Sequence, residues 1–180
     1  MPALDFQQIH AALETLSRRL GERGVKGEVC LFGGAAFILA FRSRQSTNDI
    51  DAIFVPTSVV RELVAQIGQE SGYGEGWFND GVKGFLSEQH TVTAADLPQF
   101  ENLAVTMPIP EYLLAMKCMA ARVGFGESKD EQDARFLVKK LNLPDAQSVM
   151  RIVEYYYPAS QIPPRTRYFI ETLFYTSEEQ

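Results

Sequence analysis

Two aspartates, Asp49 and Asp51, bracket Ile50 at the head of the apolar run Ala52-Ile53-Phe54-Val55. The run predicts a strand over 49–55, and residues i and i+2 of a strand point to the same face. The two carboxylates therefore project side by side, where like charges repel unless something positive sits between them. A hard, oxygen-seeking cation such as Mg²⁺ meets that need. Upstream, a predicted strand over 29–32 runs into the pair Gly33-Gly34. Lacking Cβ atoms, these residues let a ligand approach the backbone closely. They also precede a short predicted helix over 35–41, whose free N–H groups favour an anion such as phosphate. A phosphate site and a metal site on adjacent elements suggest metal-assisted nucleotidyl or phosphoryl transfer. Taken singly, one half is a tight turn and the other two exposed carboxylates at a strand edge; the joint pattern favours chemistry.

The link between the halves reads Arg44-x-Ser46-Thr47-x-Asp49-Ile50-Asp51. With the double glycine and short helix before it, it resembles the polymerase-β-like nucleotidyltransferase superfamily, most of all its AbiEii-like, toxin–antitoxin branch. The resemblance implies an α+β fold, a mixed β-sheet flanked by helices with a C-terminal helical bundle. It implies an NTP substrate, Mg²⁺ held by Asp49 and Asp51, and phosphates met by Gly33, Gly34, Arg44 and a hydroxyl of Ser46 or Thr47. An RNA, protein or small-molecule hydroxyl would accept the nucleotide, and a cognate antitoxin or toxin would be the partner. Fourteen residues separate Gly34 from Asp49, at the long end of the usual spacing. Arg42 and Arg44 suit triphosphate oxygens and equally suit surface pairing with the two aspartates; both readings stay open.

Superfamily members often carry a third carboxylate on a later strand. Here the predicted strands over 89–93 and 103–106 offer none, and Asp96 and Glu101 fall in the loop between them. In AbiEii-like enzymes a helix lysine and an aspartate of the following helix complete the site. Glu111-Tyr112-Leu113-Leu114-Ala115-Met116-Lys117 and Lys129-Asp130-x-x-Asp133 resemble those elements. By that resemblance Lys117 holds the triphosphate, and Asp133 or Asp130 acts on the acceptor hydroxyl or the metal. The plain alternative is a salt bridge between helices, because lysine is seldom buried without a partner or a task. The missing strand carboxylate also leaves open a non-catalytic fold that binds a nucleotide or a protein.

The positioning elements follow from periodicity. Asp5 is placed to cap a helix with Phe6, Ile9, Leu13, Leu16 and Leu20 on one face, ended by Gly21 and Gly24. His10 on it reads as a surface histidine. Pro56-Thr57 opens a helix with Val59, Val60, Leu63, Val64 and Ile67 inward. Strand, helix, strand, helix makes a mixed α/β layer. From Gly68 to Gly84 six glycines break the pattern around Tyr73, Trp77 and Phe78. Residues 77–86 look like a recurrent segment of an uncharacterised bacterial subfamily of these nucleotidyltransferases; its aromatics are either a base-stacking platform or a hydrophobic plug.

Pro108 and Pro110 mark a boundary, giving a nucleotidyltransferase-like core over 1–108 and a helical region over 109–180. A helix over 111–123 is closed by Gly124 and Gly126, and Ser128 with Glu131 predicts a capping box. Two further helices begin at 143–145 and at Pro163-Pro164, and 177–180 reads as a frayed tail. Of the 180 residues 46% are hydrophobic, enough for a substantial core. The net charge of −6 speaks against avid non-specific nucleic-acid binding. Cys30 and Cys118 lie far apart, as core residues of a reducing, cytoplasmic protein do. Neither a signal peptide nor a membrane span is legible.

Overall fold

A computed structural model describes residues 3–121 and 128–175. The expected helix closure at Val123, Gly124 and Gly126 and the tail at 177–180 lie outside the described residues. Among the described residues the fold is α+β, with five strands in one mixed sheet and helices packed beside it. No helix among them is long and apolar enough to cross a membrane. The chain forms two compact units, Met1–Gly84 with Val92–Pro108, and Phe85–Thr91 with Ile109–Gln180.

The first unit opens with α1 (Phe6–Glu22). Asp5 accepts from the Gln8 amide while the Gln8 side chain accepts from the Asp5 amide, so two orphan donors are satisfied reciprocally. Ile9, Leu13, Leu16 and Leu20 are all buried, at spacings of three and four. Each such burial stabilises by about 1.5–3 kcal/mol. His10 packs between the rings of Phe6 and Phe100.

Strand β1 is Gly27–Leu31, so the strand begins two residues before the expected start. Phe32 then adopts extended backbone as the N-cap of α2 (Gly33–Ala36), which runs on as a π-helical turn, Phe37–Phe41. Strand β2 is Ile50–Val55; Asp49 stands just before it rather than inside it. The helix α3 (Thr57–Ser71) buries Val60, Leu63, Val64 and Ile67, while Val59 is half-exposed. A two-residue strand β3 (Phe78–Asn79) follows, then β4 (Val92–Thr93) and β5 (Leu103–Pro108).

The sheet order is β3-β2-β1-β5-β4. Antiparallel to β1 lies β2, with Cys30 opposite Ile53; parallel to β1 lies β5, with Cys30 beside Thr106. Alternation sorts the side chains by face. Val29, Leu31, Ile50, Ala52 and Val105 are buried in the core, which α1 and α3 cover. Asp51, Ile53, Cys30 and Thr106 share the opposite, part-exposed face.

The sequence pattern did not foresee β3, because two residues carry no readable alternation. Its aromatics are a plug: Trp77 is 5% exposed and its Nε1 donates to the Val64 carbonyl at 3.0 Å. Phe78 lies against Phe54.

In the second unit α4 (Pro110–Ala120), α5 (Lys129–Lys140), α6 (Ala146–Tyr156) and α7 (Pro164–Thr172) pack together. Ser128 and Asp145 cap α5 and α6 through the amides of Glu131 and Ser148. The segment Phe85–Thr91 joins this unit through polar contacts. Tyr112 Oη accepts from the Ser87 amide at 2.8 Å, and Tyr157 Oη donates to the Phe85 carbonyl at 2.6 Å.

Candidate functional site

The end of β1 is tied to β2 by one backbone bond, from the Phe32 amide to the Asp51 carbonyl at 2.8 Å. That bond fixes the next residue, Gly33, beside the Asp51 side chain. A Cβ on Gly33 would lie 2.9 Å from Asp51 Oδ2, and Gly33 has φ +51°. Left-handed backbone favours glycine here, and any Cβ would also have to turn the Asp51 carboxylate aside. Gly34 is enclosed from another side. A Cβ there would stand 2.7 Å from Thr47 Cβ and 3.0 Å from Arg44 Nη1, and the Thr47 hydroxyl would overlap it.

The Arg44–Thr47 link is held by local bonds. Arg44 Nε donates to the Ser46 carbonyl at 3.1 Å. Thr47 is buried, and its backbone exchanges both bonds with Leu4, at 2.6 and 2.9 Å. Ser46 is half-exposed. Arg42 leaves this group: with φ +54° at the end of the π turn, its guanidinium carbon sits 3.3 Å from the centre of the Phe6 ring.

So Asp51 packs on Gly33, which is half-buried, while Thr47 and Arg44 cover Gly34, which is buried. Asp49 is next to this group in sequence. Its Oδ2 faces Asn79 Nδ2 at a long 3.5 Å. Asn79 pairs with Asp51 across the parallel β2–β3 ladder, which puts its side chain on Asp51's face. Sequence reasoning missed Asn79. The signals were the recurrent segment 77–86 that contains it and a polar residue directly after two aromatics, and neither says anything of its partner.

Strand β5, on the far side of β1 from β2, supplies no further carboxylate. On Asp51's side of the sheet β5 presents Ala104 and Thr106. Thr106 bonds to Cys30, whose thiol is pushed up mainly by burial, with the Thr106 contact opposing. Among the described residues no three His, Cys, Asp or Glu side chains cluster as metal ligands would.

Within the second unit, Lys117 of α4 reaches both expected aspartates of α5. Its Nζ lies 2.8 Å from Asp130 Oδ1 and 2.8 Å from Asp133 Oδ2. The Lys117 and Asp133 side chains are 12% and 7% exposed, while Asp130 is 42% exposed. Asp130 and Asp133 lie on one face of α5 because residues three apart are neighbours on a helix. A separate cavity of about 390 Å³ between α6 and α7, lined by Met150, Arg151, Glu154 and Arg167 among others, holds none of the sequence-predicted residues.

Searches of curated proteins and of solved structures gave no match. A family model described as "Nucleotidyltransferase of unknown function (DUF6036)" matches residues 7–155. That span takes in the double glycine, the paired aspartates, β3 and the Lys117 and Asp133 pair, and by this match the chain belongs to that nucleotidyltransferase family.

Proposed function

We propose that the protein is a Mg²⁺-dependent nucleotidyltransferase that moves a nucleoside monophosphate from an NTP to a hydroxyl of an RNA, a protein or a small molecule. The contact of Asp51 with Gly33, beside Thr47 and Arg44, carries the proposal. It sets a carboxylate against half-buried Gly33, with the Thr47 hydroxyl and the Arg44 guanidinium packed on buried Gly34 next to it. Mg²⁺ suits this donor set, because it takes oxygen ligands, keeps several waters and commonly needs only one or two carboxylates plus substrate phosphates. Asp49 and Asp51 would hold it, and when bound it neutralises charge on the triphosphate.

The chain's own residues then have separable tasks. Half-buried Gly33 admits the phosphates, while buried Gly34 lets Thr47 and Arg44 pack close beside it; Arg44 binds phosphate oxygens, and Thr47 or Ser46 adds a hydroxyl. Lys117 has the role the resemblance implies, offsetting charge on departing pyrophosphate. By that same resemblance alone, Asp133 or Asp130 would take the proton from the acceptor hydroxyl, and its ion pair with Lys117 would have to open for it. The acceptor oxygen bonds to the α-phosphorus as the bond to the β-phosphate oxygen breaks. The AbiEii-like resemblance extends the proposal to a toxin–antitoxin pair in the cytoplasm, with a cognate antitoxin or toxin as protein partner.

The test is transfer of label from each α-labelled NTP to cell-extract acceptors, with Mg²⁺, by wild type and by Asp51→Ala. Labelling by wild type alone supports the proposal; equal labelling by both removes Asp51 from the chemistry.

One observation favours a second reading. Ala104 and Thr106 occupy the β5 positions on Asp51's face, so the strand carboxylate of many relatives is missing. A degenerate fold serving as a nucleotide- or protein-binding module would bind NTP with Mg²⁺ yet release no pyrophosphate.

A further inference from the structure

We propose that Asn79 is a positioning residue for the paired aspartates, and that the Trp77–Gly81 stretch exists to hold it there. Three anchors fix the stretch. Trp77 is plugged into the core and bonded to Val64. The Ile50 amide donates to the Trp77 carbonyl at 2.7 Å, which locks β3 to β2 at the residue between the two aspartates. The parallel register then sets Asn79 directly beside Asp51.

The amide of Asn79 is oriented by its neighbours. Its Oδ1 accepts from the Gly81 amide at 2.9 Å. Its NH₂ end is therefore directed the other way, toward Asp49 Oδ2 at 3.5 Å and the Gly76 carbonyl at 3.4 Å. A neutral donor suits this place. It restrains the Asp49 carboxylate without cancelling its charge, whereas a lysine or arginine would compete with a cation for the same oxygens. The cations of this segment are engaged elsewhere: Asp80 takes Arg61 at 2.8 Å and Lys83 at 2.5 Å. Asn79 thus touches one aspartate by side chain and the other by backbone pairing, and it sets their mutual orientation.

This inference rests on the proposal that Asp49 and Asp51 hold a divalent cation, so the experiment must separate the two. Binding of Mn²⁺ alone to the full chain is followed by loss of the free-ion electron paramagnetic resonance signal. Wild type, Asp51→Asn, Asn79→Ala and Asn79→Asp are compared, each with its thermal midpoint with and without Mn²⁺. Asn79→Ala is expected to weaken Mn²⁺ binding about tenfold, the usual effect of losing a group that orients a metal ligand.

Asn79→Asp keeps the oxygen that Gly81 uses but places a third negative charge beside Asp49. Its midpoint should fall without metal and rise on adding Mn²⁺ by more than that of wild type, which reads whether position 79 faces the cation; the weaker Mn²⁺ binding of Asn79→Ala at an unchanged metal-free midpoint is the result a merely structural asparagine would not give. If wild type takes up Mn²⁺ in an Asp51-dependent way and both Asn79 variants match it, the role of Asn79 is overturned while the cation site stands. If wild type and Asp51→Asn take up equally little, the cation site fails and the role of Asn79 falls with it.

Discussion

Asp51 leans on Gly33: its Oδ2 lies 2.9 Å from where a Cβ of Gly33 would stand. The contact ties the glycine pair and the second aspartate into one unit, and it makes a specific demand on residue 33. Gly33→Ala must hold a methyl group in left-handed backbone at φ +51°, which costs about 1–2 kcal/mol. It must also push the Asp51 carboxylate aside. Urea denaturation should show the loss of stability. In an Asp51→Ala background the same substitution should cost less, because only the backbone strain remains; equal costs in both backgrounds would show that the carboxylate does not rest there.

Lys117 and Asp133 form a largely buried ion pair, and breaking it from one side leaves an unmatched charge. Lys117→Met should therefore destabilise the chain by about 3 kcal/mol. Adding Asp133→Leu should recover much of that, since a well-packed apolar pair can replace a buried ionic one. Denaturation midpoints of the single and double variants provide the measurement. Asp130, more exposed, should contribute far less when changed to Asn.

Thr166 of α7 is fully buried, and its hydroxyl has no hydrogen-bond partner among the described residues. An unsatisfied buried hydroxyl carries a desolvation penalty of about 1–3 kcal/mol. Thr166→Val, nearly identical in shape, should leave stability unchanged or raise it by about 1 kcal/mol. Thermal unfolding checks the direction, and a clear drop would mean the hydroxyl is paired.

Burial pushes the Cys118 thiol up to about 12, from an ordinary value of 9.0. The unfolded chain therefore loses this proton near pH 9, while the folded chain keeps it until about pH 12. Across that window the unfolded state binds fewer protons, so stability falls as pH rises, by up to about 1.4 kcal/mol per unit from this group. Cys118→Ala should flatten that part of the profile of denaturation against pH. Alkylation of Cys118 in the native chain at pH 8 should be far slower than in urea.

The parts of this protein carried by local pattern were legible before any fold was known. Apolar periodicity marks α1 and α3, and prolines, a capping box and apolar content mark the helices of the second unit. Asp5 and Ser128 announced their caps, and Gly33-Gly34 with Asp49-Ile50-Asp51 pointed to the family that the chain matches. These signals are readable because helix periodicity, capping and glycine's missing Cβ act within a few residues of chain. Strand ends were less secure. The extended geometry passes through Phe32 into a helix cap with no change of residue character, so the strand's end at Leu31 has no signal in the sequence.

Contacts across the sheet were decided by the tertiary structure alone. The order β3-β2-β1-β5-β4 brings Asn79 beside Asp51 and sets Thr106 where a carboxylate was sought. It also selects Asp51, rather than Asp49, as the aspartate that touches Gly33. Tyrosine hydroxyls of the second unit take up Phe85 and Ser87, which no periodicity marks. The physical reason is the same in each case. Strand neighbours are chosen by hydrogen-bond registers between segments distant in the chain, and a two-residue strand has no alternation to betray it. Motif spacing pointed to the nucleotidyltransferase family that the chain matches; long-range pairing chose which atoms face one another.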